Sequence, residues 1–195
     1  MDKAVLLEPL RTEFMKGTLR KTLFPMLTDF GIRDYSENVH SHGLNYLTAI
    51  GRSIEHVSAI SECPVYPQKY ARTVRPDSVW FDARDMSPLL LCEFERFEKT
   101  REKRQKLQEK VENLLVGYHQ LGSRLPVILF VCWSLSSITL GEISRLTGIF
   151  DRGFTLPDGQ FVPGINSVRT SYLICHCIAT GSKDCLKFNN WIRIV

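Results

Sequence analysis

The stretch Arg75-Pro76-Asp77-Ser78-Val79-Trp80-Phe81, a polar turn over residues 82–87, and then Leu89-Leu90-Leu91-Cys92-Glu93-Phe94-Glu95-Arg96 decides how this chain reads. Both halves are apolar and strand-like, and the short polar connection between them predicts a hairpin. Acidic residues intrude on these otherwise apolar strands. In an extended strand Glu93 and Glu95 project from one face, roughly 7 Å apart along the backbone, while Leu90, Cys92 and Phe94 cover the other. Pairing of the two strands brings Asp77 across from the Glu93 to Glu95 end, so three carboxylates converge. Such a cluster repels itself unless a cation occupies it. A hard divalent ion such as Mg²⁺ is satisfied by one or two carboxylates together with water and a substrate phosphate. It would lower the pKa of a bound water, with Asp77 and Glu93 as ligands and Glu95 placed to orient or deprotonate the nucleophile. The alternative is a set of solvated strand-end carboxylates paired with Arg96 or Arg75.

Outward from the hairpin, residues 1–35 predict a helical N-terminal region, with Leu6, Leu7, Leu10, Phe14, Leu19, Leu23 and Leu27 approximating an apolar stripe. A helix over residues 42–55 follows, with Ser41 as its cap, and then a strand over residues 57–61. Beyond Phe97 the period lengthens from two to about 3.6: Leu107, Val111, Leu114, Leu115, Tyr118 and Leu121 make one face of a long helix that Gly122 stops. Residues 127–133 are a continuous apolar run, as in a strand buried on both faces, and residues 139–146 predict a short helix. A crossover helix between the strands at residues 89–96 and 127–133 implies that they are parallel, and the class is α/β. Residues 150–166 are loop-rich, with a hairpin-like Asp158-Gly159, and strand character resumes over residues 167–179. No internal repeat or domain boundary stands out, so residues 1–195 read as one domain: the helical region 1–35, a core over 40–148 and a loop-rich C-terminal extension over 150–195.

These residues resemble the PD-(D/E)xK phosphodiesterases, whose restriction-endonuclease-like core is a central mixed β-sheet flanked by helices. Pro76-Asp77 matches the first signature, and Glu93-Phe94-Glu95 stands where the (D/E)xK tripeptide belongs. The pattern over roughly residues 40–135 is similar to nuclease-like domains of plasmid and mobile-element replication proteins. The resemblance implies a metal-dependent DNA endonuclease using Mg²⁺ or Mn²⁺ and the site Asp77, Glu93 and Glu95. The chain departs from the family in one place that matters: the lysine ending the tripeptide is Glu95 here. Some members recruit a lysine from the following helix, where Lys99, Lys103, Lys106 and Lys110 are available. Members that lost this lysine, and catalysis with it, still bind nucleic acid. The upstream acidic residue is not identifiable, with Glu55 and Glu62 as candidates.

Residues 96–110 hold seven basic residues against three acidic ones. Arg96, Lys99, Lys103, Lys106 and Lys110 therefore offer a face that could track DNA phosphates. An ordinary solvated helix face, with Glu98, Glu102 and Glu109 forming local pairs, is the alternative. The net charge of +4 permits a polyanionic partner without demanding one. Cutting both strands of a duplex would favour a homodimer. At 44% hydrophobic and 24% charged residues the composition is that of a globular chain, and no apolar run is long enough to span a bilayer. A cytoplasmic location is expected. The cysteines at 92, 132, 175 and 177 sit in strand-like runs, as buried thiols do. Cys175-His176-Cys177 lacks a CxxC spacing and a second ligand pair, and alternation sends His176 to the opposite face from both thiols. His40 and His42 are given no role. Phosphate-binding glycine loops and nucleophile elbows are missing, which excludes kinase, dehydrogenase and serine-hydrolase readings. Besides the nuclease, two readings stay open: a catalytically inactive DNA-binding or assembly protein of a mobile element, and a protein-interaction module.

Overall fold

The computed structural model describes residues 1–135 and 138–193. Helices α1 (Lys3–Lys16) and α2 (Thr18–Leu23) meet at Gly17, whose φ of 64° ends α1 in a left-handed turn. A 3-10 turn over Pro25–Leu27 leads towards α3 (Ser36–Arg52). This helix starts earlier than residue 42, so Ser41 lies inside it and Tyr35 holds the N-cap position. The reason is tertiary: fully buried Val39 extends the apolar face by a turn, and its N–H donates to the Tyr35 carbonyl.

Strands β1 (Val57–Ser61), β2 (Ser78–Asp82) and β3 (Pro88–Arg96) form an antiparallel meander. Helix α4 (Arg101–Gln120) starts at Thr100, whose side chain accepts from the Lys103 amide, and crosses over to β4 (Val127–Ser134). That crossover makes β4 parallel to β3, from Leu90↔Val127 to Arg96↔Trp133. Helix α5 (Leu140–Arg152) opens with a capping box between Thr139 and Glu142. A small hairpin, β5 (Phe154–Thr155) and β6 (Phe161–Val162), leads on to β7 (Ser171–Ser182), which is parallel to β4, and β8 (Cys185–Arg193), antiparallel to β7. The chain is thus α/β, with a mixed six-stranded sheet in the order β1-β2-β3-β4-β7-β8 flanked by helices.

The C-terminal segment is therefore part of the central sheet, and it supplies two strands where the sequence reading expected one. All positions of β4 are buried, so both of its edges must bond to strands, and β3 can cover only one. The second is covered by β7.

The sheet separates two cores. On one face Leu90, Cys92, Phe94, Leu129, Val131, Cys175 and Cys177 pack under α1 and α3. On the other, Leu91, Ile128, Phe130, Cys132 and Ile174 pack under α4 and α5. The successive odd and even positions of β3 thus face opposite helices, as strand alternation requires. His176 turns away from its flanking thiols and lies 2.8 Å from Ser134 Oγ. Helix α3 lies very close to the sheet. A methyl group at Gly43 would lie 2.2 Å from Phe94 Cε1, and one at Gly51 would lie 2.6 Å from the Trp80 indole. Among the described residues no helix is long and apolar enough to cross a membrane.

Candidate functional site

The β2–β3 ladder runs from Ser78↔Cys92 towards the turn. Asp77 precedes β2, and Glu93 and Glu95 follow Cys92, the last residue of β3 that pairs with β2. The carboxylates thus emerge where the hairpin opens, at the end where parallel β3 and β4 finish. Asp77, Glu93 and Glu95 are all buried, Glu93 completely. An apolar sheet edge cannot hold such groups unless they are compensated, and α4 supplies the compensation. Its face carries Leu107, Val111 and Leu114 into the core, and the adjacent row Lys103, Lys106 and Lys110 runs over the carboxylates. Lys110 Nζ lies 2.7 Å from Glu93 Oε2 and 3.7 Å from Asp77 Oδ1. Lys106 Nζ lies 3.2 Å from Glu95 Oε2, while Glu95 Oε1 accepts from the Arg96 amide.

Burial opposes the charge on Asp77. The bond to His40, the ammonium of Lys110 and the Phe94 amide together outweigh it and hold the carboxyl below its ordinary range. Burial and the neighbouring Asp77 charge push Glu93 well up, with Lys110 opposing. For Lys110, burial acts against the cation, but the surrounding carboxylates prevail and raise it. Among the described residues no hydrogen-bond donor faces the buried Oε1 of Glu93, whose carboxyl lies against that of Asp77.

A cleft of about 310 Å³ opens over this cluster, lined by Glu37, His40, Glu95, Arg96, Lys103, Lys106, Lys110 and Trp133. The sequence-derived residues Asp77, Glu93, Glu95, Lys106 and Lys110 come together, with Lys103 on the wall. Arg96 lines the cleft but is engaged: it pairs with Asp34 and Glu98, and its guanidinium lies 4.8 Å from the centre of the Trp133 ring. Lys99 is exposed and is not among the lining residues. Glu55 is exposed beside His56; the Glu62 N–H donates to the Asp77 carbonyl, but its side chain is exposed beside Arg75 and is not among the lining residues. An acidic residue that does line the cleft is Glu37, in the first turn of α3. His40, one turn further, has Nε2 3.4 Å from Asp77 Oδ1. Nothing local marks these two residues, because their place depends on how α3 lies against β3.

Among the described residues no group of three or more His, Cys, Asp and Glu side chains is close enough together to hold a metal ion unaided. The donors present still fit a hard ion that keeps most of its water: Asp77 and Glu93 offer oxygen atoms only, and among the described residues no donor meets the buried Oε1 of Glu93. The chain matches no family model, no curated protein and no solved structure.

Proposed function

We propose that the protein is a metal-dependent DNA endonuclease of the PD-(D/E)xK type, with residues 40–135 as its restriction-endonuclease-like core. The observation that carries this reading is the position of Lys110, which reaches from α4 to within bonding distance of Glu93 beside Asp77. It supplies, from the following helix, the cation that the strand lacks at Glu95. Asp77 and Glu93 would hold Mg²⁺ or Mn²⁺, which when bound activates water and offsets charge on the phosphate. Lys110 is placed to stabilise the charge that develops on the phosphate oxygens. Glu95 is placed to orient water and accept its proton, with Lys106 holding the carboxylate in place. Lys103 and Lys106, with exposed Lys99 leading to them, are suited to the flanking phosphates, and Arg96 shapes the wall. Hydrolysis of both strands of a duplex would call for two such sites, as in a homodimer.

A second reading has its own support. Lys110 and Lys106 already balance the buried carboxylates without any metal, as expected of a catalytically inactive DNA-binding or assembly protein of a mobile element. Cleavage of supercoiled plasmid and of single-stranded DNA with Mg²⁺ or Mn²⁺ separates the two. The nuclease reading expects the folded Asp77→Ala, Glu93→Ala and Lys110→Met variants to lose roughly 10²-fold or more of the activity. Wild-type protein that binds DNA but cuts neither substrate with either metal would overturn it in favour of the second.

A further inference from the structure

Beyond Ser78↔Cys92, no strand among the described residues lies beside β3 on the β2 side. The N–H and C=O of Phe94 on that edge are instead met by side chains. The Phe94 N–H donates to Asp77 Oδ2 at 2.7 Å. His40 Nδ1 lies 3.1 Å from the Phe94 carbonyl. Since a carbonyl can only accept, Nδ1 carries a proton and donates. The other ring nitrogen faces Asp77 Oδ1 at 3.4 Å, and because a carboxylate too can only accept, it also carries a proton, so the ring contacts both groups as an imidazolium. Three elements thus close a ring of polar contacts: α3 through His40, the start of β2 through Asp77, and the open edge of β3 through Phe94. Gly43, one turn along α3 from His40, permits the approach by leaving room for the Phe94 ring.

We infer that His40 is a positioning residue of the candidate metal site, clamping the Asp77 carboxylate against the open edge of β3 so that Oδ1 is presented to a bound cation. The inference rests on the nuclease reading. Without His40 the carboxylate keeps the Phe94 amide on Oδ2 and can swing about that single bond. Lys110, 3.7 Å from Oδ1, would then draw the carboxylate to its ammonium, which competes with a bound cation. Groups that orient metal-ligating side chains in this way are typically worth 10- to 100-fold in metal affinity.

The test is Mn²⁺ binding to the full chain, followed by titration calorimetry and by the paramagnetic signal of free Mn²⁺, together with thermal melting. The proteins are wild type, Asp77→Ala, His40→Ala and His40→Gln. The expected result is binding by wild type and its loss in Asp77→Ala. His40→Ala should bind about 10- to 100-fold more weakly with its melting little changed, and His40→Gln, whose amide can still donate to Phe94, should recover part of the loss. If both His40 variants bind like wild type while Asp77→Ala does not, the inference fails and the nuclease reading stands. If His40→Ala melts early and folded His40→Gln binds as wild type does, the role is structural and the inference fails. Absence of Mn²⁺ binding by wild type would overturn both.

Discussion

Glu93 and Lys110 form the pair on which the interior of the site depends. Removing one member of a buried ion pair leaves the other uncompensated, at about 3–5 kcal/mol, whereas removing both can be nearly neutral. Lys110→Met should therefore lower stability by about 3 kcal/mol in urea unfolding, and the double variant Lys110→Met/Glu93→Gln should regain most of it. A sum of two independent losses would show that the pair is not coupled. Two further histidines carry a pH dependence away from the cleft. Burial lowers the pKa of both His119 and His176 from 6.5. His119 Nε2–H donates to the Pro163 carbonyl, so its Nδ1 accepts from Ser123 Oγ and has no room for a second proton. Above pH 6.5 both residues are neutral whether the chain is folded or not, and they add no pH dependence. As pH falls through that value the unfolded chain takes up the protons first, and the folded state loses stability. His119→Gln should then gain on wild type by up to about 1.4 kcal/mol per pH unit below that value, measured by urea unfolding at a series of pH values. A constant difference between the two proteins would refute this.

At the level of elements, the approach of α3 to the sheet sets where the site's upper wall lies. Gly43→Ala places a methyl inside the ring of buried Phe94, and overpacking of this kind costs about 1–3 kcal/mol. The thermal midpoint should fall and, if the site binds Mn²⁺ as proposed, its affinity should fall too, because His40 moves with α3. At α5 the consequence is local. Thr139 accepts from the Glu142 amide and Glu142 reaches back to the Thr139 N–H, so Thr139→Ala should cost about 1 kcal/mol while leaving the cleft as it is. Both strands of the decisive hairpin, the long helix with its Gly122 stop and the buried β4 run were legible in sequence because their periodicities are unmixed. The start of α3 was not, since Val39 is a lone apolar residue between Ser36-Glu37-Asn38 and His40-Ser41-His42, and only packing shows that it faces the core.

For the molecule as a whole, the sheet depends on its last two strands. Truncation after residue 165 removes β7 and β8, exposing one backbone edge of the fully buried β4. The truncated chain should lose cooperative melting and bind a hydrophobic dye. A sharp melting transition would show that residues 1–165 fold alone. Electrostatics at this scale are set by the lysine row over the cleft. If the cleft holds DNA, the logarithm of affinity should fall linearly with the logarithm of salt concentration. Lys103→Gln and Lys106→Gln should each reduce that slope by about one, in a fluorescence titration at several salt concentrations. An unchanged slope would remove these residues from the interface.

What the amino-acid sequence determined by itself is what depends on neighbours along the chain. Alternation in β3 put Glu93 and Glu95 on one face and the apolar residues on the other, the short turn returned Asp77 to their end, and the crossover made β4 parallel. Tertiary structure decided the rest, because it concerns groups far apart in sequence whose contact is set by packing. Of four lysines available after the strand, the rotation of α4 on its buried leucines chose Lys110 for Glu93 and Lys106 for Glu95. The close seat of α3 on Phe94 brought Glu37 and His40 into the cleft, and the bare edge of β4 drew residues 171–193 into the sheet.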